Sequence, residues 1–338
     1  MKKLIIIQTA FIGDVILATP LAQAVHELLA PCEVHFMVIP AAANLLEKHP
    51  QIARVWIYDK RGKQRGLRGL WALARQLRRE NFTHALVPHR SVRSALLVWL
   101  AGIPVRIGFN RSAGAFLFSQ KVVYTEKHEV ERNLDLLRAL VPHVPSSKPA
   151  IHWDKNDEAR VALLKKEAAR TKIALAPGSV WATKKWPEAR FVALAQKLIT
   201  ATHAEIFLLG GKADAALCAR IQQGVGAQCI NTAGQLSLRQ SAALLNDCAV
   251  LVSNDSAPTH LGVATNCRVL TIFGPTVPRF GFAPYGVGHR VIERELSCRP
   301  CSAHGTRTCP IGTHACMQEI DVEEVFKSIV AMLLERSS

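Results

Sequence analysis

The sequence predicts an α/β protein built from two doubly wound, parallel-sheet domains. Short apolar segments alternate with helical patterns, and this alternation restarts after a segment rich in Pro and Ser. A chain of 338 residues also suits two hydrophobic cores better than one. Because short, continuous apolar strands between helices are typical of parallel sheets covered on both faces, we expect two Rossmann-like domains facing each other across a cleft.

Each half of the chain contains five predicted strands. Those of the first half are 4–8, 34–39, 55–58, 85–88 and 105–109. Those of the second half are 172–176, 205–209, 229–231, 250–253 and 269–273. The segment 141–149, "VPHVPSSKP", is typical of a linker, so we predict domains at 1–145 and 150–320, followed by a C-terminal segment 321–338 with an amphipathic helix.

The N-terminal segment allows two interpretations. Two lysines, an apolar stretch and Ala22-Gln23-Ala24 are the three parts of a signal peptide. However, Gln8 and Asp14 interrupt the apolar stretch, and an ionised carboxylate there is expensive to place in a membrane. We therefore predict a buried strand at 4–8, a turn at Ile12-Gly13 and a helix over about 14–29.

The composition limits the classes of binding partner but does not choose among them. The chain has 42 Lys and Arg against 26 Asp and Glu, a net charge of +16, which favours nucleic acid, phosphorylated molecules or an acidic membrane face. No apolar run is long enough to span a membrane. Nine cysteines, an odd number, fit a reducing compartment better than a disulfide framework.

In open α/β sheets, ligands bind at the carboxyl ends of the strands, so the loops after the strands are the candidate sites. The loop after the first strand is "QTAFIGDV". Asp14 at the start of the next helix is either an N-terminal cap that satisfies free backbone N–H groups or, if it points into the cleft, a general base.

The loop "APGSVWATKKWPEARF" at 176–191 offers donors for an anion. Gly178 and Ser179 supply a backbone N–H and a hydroxyl, and Lys184 or Lys185 supplies a point charge, a combination that suits a phosphate. A solvated basic loop is the alternative.

The loop "SNDSAPTHLGVA" at 253–264 begins another helix. Asp255 and Ser256 are typical N-terminal residues, Pro258 fits the first turn, and His260 lies near the positive helix end, where anions bind. A capped helix with a half-buried histidine is the alternative. The neighbouring segment "FGPTVPRF" at 273–280 adds a Gly-Thr turn.

The segment "CRPCSAHGTRTCPIGTHAC" carries four cysteines. A CxxC pair followed by two further cysteines suits a structural zinc site, whereas the unusual spacing equally suits a loop of reduced thiols. The four are Cys298, Cys301, Cys309 and Cys316.

Basic residues of the first half concentrate in segments 59–80 and 89–112, next to apolar residues, a pairing that suits an acidic lipid surface. In the first segment we predict a helix with Leu67, Leu70, Trp71, Ala74 and Leu77 on one face. The alternative is a solvated charged face.

Two other functional classes lose support. No GxGxxG motif follows the first strand, which argues against a dinucleotide-dependent dehydrogenase. No GxxxxGK[ST] motif occurs, which argues against a P-loop enzyme. A nucleic-acid-binding protein would use the +16 charge, but such proteins interleave aromatic with basic residues, and only 6% of this chain is aromatic.

Taken together and in this order, these loops resemble the ADP-heptose:lipopolysaccharide heptosyltransferases, glycosyltransferase family 9, which have the two-domain GT-B architecture. The segments that carry the resemblance are "FIGDVILATP", "PGSVWATKKWP", "SNDSAPTHLGVA" and "FGPT". The cysteine-bearing tail is similar to a segment of the type II enzymes, which add the second heptose of the inner core.

The resemblance implies roles for individual residues. Asp14 matches the catalytic base, Lys184 the residue on the donor diphosphate, Asp214 an acidic residue on the ribose, and Asp255 one on the heptose. The remaining donor contacts implied are Ser179, Ser256, Thr259, His260, Gly274 and Thr276. The acceptor contacts expected in the first domain are Gly13, Lys60, Arg61, Lys63, Arg90, Arg93 and Arg111.

The implied reaction is an inverting transfer of heptose from ADP-heptose to a heptosyl-Kdo2-lipid A type acceptor. No metal or other cofactor is expected to be required, since Lys184 and a helix N-terminus would stabilise the leaving ADP. The resemblance also implies a cytoplasmic protein at the anionic inner face of the inner membrane. A family member acting on the first core heptose or a different glycan is the alternative.

Overall fold

The protein is described here by a computed structural model, which covers residues 2–164 and 170–337. The chain forms two compact units, Met1–His152 and Trp153–Ser338. Each unit contains one six-stranded sheet in which every strand pairing is parallel. The predicted fold class, two doubly wound α/β domains, is thereby confirmed.

The first unit has the strand order β3-β2-β1-β4-β5-β6. Its strands are β1 Lys2–Ile7, β2 Cys32–Val38, β3 Arg54–Ile57, β4 His84–Val87, β5 Val105–Phe109 and β6 Gln120–Val122. Its helices are α1 Ile12–Leu17, α2 Thr19–Leu28, α3 Ala43–Leu46, α4 Gly66–Arg79, α5 Val92–Leu100 and α6 Glu129–Leu137.

The second unit repeats this topology, with the order β12-β11-β10-β7-β8-β9. Its strands are β7 Lys172–Ala176, β8 Glu205–Leu208, β9 Cys229–Asn231, β10 Val250–Asn254, β11 Arg268–Ile272 and β12 Arg290–Ile292. Its helices are α7 Lys155–Ala162, α8 Glu188–Thr202, α9 Ala215–Val225, α10 Leu238–Asn246, α11 Ala257–Val263, α12 Ala315–Gln318 and α13 Val322–Ser337.

The N-terminal segment is a central strand, as predicted. Residues Leu4 to Ile7 are fully buried, and β1 pairs with β2 on one side and with β4 on the other. The single helix predicted over about 14–29 is instead two helices that meet at Ala18. Pro20 in the first turn of α2 has no N–H to continue the ladder of α1, and the Thr19 hydroxyl donates to the carbonyl of Ile16 at 2.8 Å.

Helix α4 exposes two of the five residues that were predicted to share one face. Its buried stripe consists of Leu70, Leu73, Ala74 and Leu77, spaced as one helical face. At 100° per residue, Leu67 and Trp71 fall on the edge of that stripe, and they are 75% and 59% exposed. Part of the apolar surface of α4 therefore remains outside the core of the first unit.

The C-terminal helix α13 belongs to the second unit. It packs against α8, and its acidic side chains pair with basic residues of that unit: Glu324 with Arg294, and Glu335 with Arg290. Within residues 2–164 and 170–337 we find no helix both long and apolar enough to pass through a bilayer.

Candidate active site

In each unit, polar loops follow two adjacent strands at the point where the strand order reverses. These strands are β1 and β4 in the first unit and β7 and β10 in the second. Connections from such strands leave in opposite directions, so a crevice opens between them at their carboxyl ends. The loops that were singled out in the sequence lie at these two places.

Asp14 is the third residue of α1, directly beyond β1. Its Oδ2 accepts a hydrogen bond from the backbone N–H of Phe11 at 3.2 Å, so the carboxylate does cap the helix. Burial raises the pKa of Asp14, while the N–H of Phe11 and the guanidinium groups of Arg90 and Arg132 oppose the rise. The capping role is therefore observed, and a raised pKa at a strand end is also typical of a general base. Gly13 is buried in the same turn.

A second carboxylate near Asp14 was missed by sequence reasoning. Glu129 begins α6, which packs against α1, and its Oε2 accepts from the guanidinium of Arg132 at 2.6 and 2.8 Å. Burial raises the pKa of Glu129 to about 7, with a further contribution from the Asp14 charge, although Arg132 opposes the rise. The i, i+3 spacing of Glu129 and Arg132 was the available signal, but it does not indicate which strand end α6 packs against.

Lys60 reaches the same strand end from the loop after β3. Its Nζ donates to the backbone carbonyl of Thr9 at 2.6 Å. Asp59 organises this loop, since its two carboxylate oxygens accept from the N–H groups of Gly62 and Lys63 at 2.8 and 3.1 Å. A Cβ on Gly62 would lie 2.2 Å from Asp59 Oδ2, so a larger residue here would displace this carboxylate. Arg61 and Lys63 are exposed.

Three guanidinium groups surround the ring of Tyr124. Arg90 lies 4.5 Å, Arg132 4.9 Å and Arg111 6.0 Å from the ring centre. Arg132 is held by Glu129, whereas Arg90 and Arg111 are exposed and make no ion pair with any residue that the structure describes. Arg93 lies nearby in sequence, in the first turn of α5. Two of the predicted acceptor contacts, Arg90 and Arg111, thus lie around the ring of Tyr124, which was not among the predicted site residues.

In the second unit, Lys184 and Asp255 form a buried ion pair at the carboxyl ends of β7 and β10. The Nζ of Lys184 lies 2.5 Å from Asp255 Oδ2, and the hydroxyl of Thr276 donates to the same oxygen at 2.6 Å. Lys184 is 9% exposed, whereas its neighbour Lys185 is more exposed and makes no ion pair with the described residues. The solvated-loop interpretation is therefore wrong for Lys184.

The loop after β10 is fixed by hydrogen bonds to neighbouring segments. The side chain of Asn254 accepts from the N–H of Trp186 at 3.0 Å and donates to the carbonyl of Pro177 at 2.9 Å, which ties this loop to the loop after β7. Thr259 and His260 are buried in α11. Ser256 precedes this helix in extended conformation, and its hydroxyl donates to the carbonyl of Asn254 at 3.2 Å rather than capping the helix.

Asp214 and Ser179 lie at the neighbouring strand ends. Asp214 Oδ2 accepts from the N–H of Gly211 at 2.9 Å. A Cβ on Gly178 would lie 2.3 Å from Asp214 Oδ1, so a larger residue here would displace the Asp214 carboxylate from the loop after β7. The Ser179 hydroxyl accepts from the N–H of Trp181 at 3.3 Å. The predicted donor contacts of the second unit therefore share one edge of one sheet.

The cysteine-bearing segment packs against the loop that carries Lys184. The hydroxyl of Thr183 donates to the carbonyl of Thr306 at 2.9 Å and accepts from the N–H of Thr306 at 2.9 Å, and the His314 ring lies 2.7 Å from the Thr183 carbonyl. On the other side, Gly274 lies against the Met317 side chain, where a Cβ would be 2.6 Å from sulfur. The segment therefore supports Lys184 from outside the sheet.

The four cysteines are not arranged as a metal site. Cys301 donates to the carbonyl of Cys298 at 3.2 Å, and the thiol of Cys309 accepts from the N–H of His314 at 3.4 Å, which lowers the pKa of Cys309. Burial raises the pKa of Cys316 to about 11. In the part of the chain that the structure describes, no three Cys, His, Asp or Glu side chains come together as metal ligands, so the zinc interpretation gains no support.

Comparison with known proteins identifies the family to which the chain belongs. The family model for glycosyltransferase family 9 (heptosyltransferase) matches residues 70–311, more than two thirds of the chain. The chain belongs to glycosyltransferase family 9. The family assignment covers the strand ends that carry Lys184, Asp214 and Asp255, and it confirms the resemblance inferred from the sequence motifs.

Relatives of more than one type are similar to this member of the family. The chain is 25% identical to the lipooligosaccharide heptosyltransferase 2 of Haemophilus influenzae, over 82% of this chain and 85% of that protein. It is 24% identical to the lipopolysaccharide heptosyltransferase 1 of Pseudomonas aeruginosa, over 88% and 86%. Among solved structures, the Escherichia coli ADP-heptose lipopolysaccharide heptosyltransferase II matches all of both chains with a TM-score of 0.82 and 23% identity. The last match confirms the GT-B fold.

Proposed function

We propose that the protein is an inverting glycosyltransferase that moves a heptose from ADP-heptose onto the inner-core heptose of lipopolysaccharide, forming the second core heptose. Family membership supports heptose transfer. The observation that carries the proposed chemistry is Asp14, a carboxylate with a raised pKa at the carboxyl end of β1, close to the guanidinium groups of Arg90 and Arg132.

In the proposed reaction, an Asp14 oxygen takes the proton of an acceptor hydroxyl as that oxygen attacks the anomeric carbon of the donor heptose. The new C–O bond forms on the face opposite the diphosphate. The bond from the anomeric carbon to the diphosphate oxygen breaks, and its electron pair leaves with ADP. The configuration at the anomeric carbon is therefore inverted, and Asp14 holds the proton after transfer.

Lys184 is the residue proposed to stabilise the leaving ADP. A buried ammonium group interacts more strongly with a diphosphate than an exposed one, because less water screens the charges. In the structure Lys184 is held by Asp255, and the Thr276 hydroxyl shares the same carboxylate oxygen. We propose that Ser179, Asp214, Ser256, Thr259 and His260 contact the rest of the donor.

The acceptor contacts proposed for the first unit are cationic. Lys60, Arg61, Lys63, Arg90, Arg93 and Arg111 would bind the phosphate and carboxylate groups that surround the inner-core sugars. Cations without carboxylate partners suit such groups, since no intramolecular ion pair has to be broken first. We also propose that the protein works at the cytoplasmic face of the inner membrane, where a lipid-linked acceptor is available.

The alternative is the same chemistry on another acceptor, either the first core heptose or a different glycan. Relatives named as types 1 and 2 are similar to this chain to nearly the same degree. The deciding experiment incubates the protein with ADP-heptose and a set of core-truncated lipopolysaccharides, and follows the acceptors by mass spectrometry. Addition of one heptose only to acceptors that already carry the first heptose supports type II, and addition to acceptors without it supports the alternative.

The proposed chemistry needs no metal ion, because Lys184 supplies the positive charge at the leaving group. We therefore expect dialysis against EDTA to leave most of the transfer rate. The measurement compares initial rates before dialysis, after dialysis and after readdition of Mg²⁺. Complete loss of activity that Mg²⁺ restores would contradict this part of the proposal.

A further inference from the structure

The first unit has an apolar groove on its outer surface between α4 and α5. Six side chains line this groove of about 380 Å³, and we refer to them as the α4–α5 face: Leu67, Arg68, Leu70, Trp71, Leu96 and Leu100. Leu67 and Trp71 are 75% and 59% exposed, and Trp99, on α5 beside Leu100, is 50% exposed. Large apolar side chains exposed together on one surface mark a place where another surface binds.

The charge around this face has a single sign. Helix α4 contains four arginines and no Asp or Glu. Arg68, Arg75 and Arg79 are exposed and form no ion pair with any residue in the described ranges. The guanidinium of Arg75 lies 5.9 Å from the centre of the Trp71 ring, and Arg78 donates to the carbonyl of Leu100 at 2.7 Å. The apolar groove is thus bordered by cations that are free to bind anions.

We propose that the α4–α5 face docks the protein onto an anionic lipid bilayer. Trp side chains prefer the interface between headgroups and acyl chains, and arginines next to them bind anionic headgroups. A second copy of the chain is a poorer occupant, because a two-fold contact would place the arginines of α4 against each other. Nucleic acid would satisfy the arginines but would leave the aliphatic groove unfilled.

The position of the face agrees with its proposed role. The loop that precedes α4 carries Lys60, which donates to the carbonyl of Thr9, just beyond β1. Helix α1 begins three residues after Thr9 and has Asp14 in its first turn. The loop that begins at Lys60 therefore connects the strand end next to Asp14 with the N-terminal end of α4. This inference extends the proposed function to its membrane partner, and docking can be measured without any transfer reaction.

The test is sedimentation of the full-length protein with vesicles of phosphatidylcholine alone or mixed with phosphatidylglycerol. The double variant Leu67→Ser and Trp71→Ser should weaken binding to the anionic vesicles by about tenfold or more, since two apolar side chains no longer enter the interface. The matched control is Val287→Ser, which changes a 97% exposed apolar residue of the second unit. It should bind as the unchanged protein does.

The charge is tested in the same assay. Replacing Arg68, Arg75 and Arg79 by Gln should weaken binding by about fivefold for each arginine at low salt, and less at high salt. The control replaces three exposed cations elsewhere, Lys121, Lys155 and Arg307, by Gln. Equal losses in the two triple variants, or full vesicle binding by the Leu67 and Trp71 variant, would overturn the proposal. Thermal unfolding confirms that each variant folds.

Two further results separate the possible failures. A water-soluble acceptor should be turned over equally by the unchanged protein and the Leu67 and Trp71 variant, since the variant affects only docking. If vesicles bind but no heptose is transferred, the proposed function fails and the docking face stands. Tight binding of a DNA or RNA duplex that is lost in the arginine variant, without vesicle binding, would overturn the docking proposal and favour nucleic acid.

Discussion

The strand ends of the first unit carry exposed cations in addition to the buried pair of Arg132 and Glu129, whereas the Lys184 cation of the second unit is buried. In the second unit, Lys184 and Asp255 are buried and neutralise each other. In the first, Arg90 and Arg111 are exposed around Tyr124 without a carboxylate partner among the described residues. A buried, paired site is already organised before a ligand binds, whereas an open cationic surface gains its partners from the ligand.

This difference suggests a division of labour between the units. A small nucleotide-sugar is best held by a preorganised site, and a large anionic glycolipid by an open surface with several separate cations. In the proposed function, Asp14 would act on the acceptor and Lys184 on the donor.

The largest effect is expected for Asp14→Asn. We expect the turnover number to fall about 10²–10⁴-fold, because the amide cannot accept the proton of the acceptor hydroxyl. Initial-rate measurements with saturating donor and acceptor test this. The control is Asp247→Asn, an exposed aspartate after α10. A loss below tenfold for Asp14→Asn would indicate that the carboxylate serves only as the cap of α1.

The next effect is expected for Lys184→Ala. Loss of a charge-assisted contact to the diphosphate should weaken ADP binding by about tenfold or more and slow transfer, whereas Lys185→Ala should do little. Calorimetric titration with ADP measures the binding of each variant, and initial rates measure its transfer. Since Lys184→Ala leaves Asp255 buried without its partner, the double variant with Asp255→Asn is needed to separate folding from binding. Equal effects at both lysines would show that the loop is merely basic.

A smaller effect is expected for charge reversal of Lys60, Arg61 and Lys63 together. The acceptor KM should rise and the donor affinity should stay unchanged, because the donor contacts are proposed for the other unit. High salt should reduce the difference between the variant and the unchanged protein. If the acceptor KM does not move, the acceptor contacts must be sought at Arg90, Arg93 and Arg111 instead.

The smallest effect concerns stability and Glu129. Because the pKa of Glu129 is raised from 4.5 to about 7, the folded protein binds more protons than the unfolded chain between these values, so this group lowers stability as the pH rises through them. In Glu129→Gln this contribution to the pH dependence of the unfolding free energy should disappear. Urea unfolding from pH 5 to 8 measures it, with Glu131→Gln in the same helix as control. Identical slopes in the unchanged protein and Glu129→Gln would contradict the raised pKa.

Much of the fold was predictable from the sequence. Ten strands were predicted within about two residues of their observed limits, because continuous apolar segments mark buried parallel strands. Strands β6 and β12 were missed. Both are three-residue strands at a sheet edge, and they are too short and too polar at their first residues to give an apolar run.

The site was predictable only in part. Motif order located Asp14, Lys184 and Asp255 at strand ends, but spacing does not show which of two adjacent lysines is buried. Likewise, the environment of Asp14 depends on Glu129 and Arg132, which lie more than a hundred residues away in the sequence. Tertiary packing alone brings these groups together. The exposure of Trp71 has the same cause, since the edge of a helical stripe is decided by its neighbours.

The division of labour is tested most directly by titrating ADP-heptose into Asp14→Asn and Lys184→Ala under the same conditions. We expect the dissociation constant to be unchanged in Asp14→Asn, although transfer is lost, and to be raised about tenfold or more in Lys184→Ala. A raised constant in Asp14→Asn together with an unchanged one in Lys184→Ala would contradict the assignment of base and donor contacts to separate units.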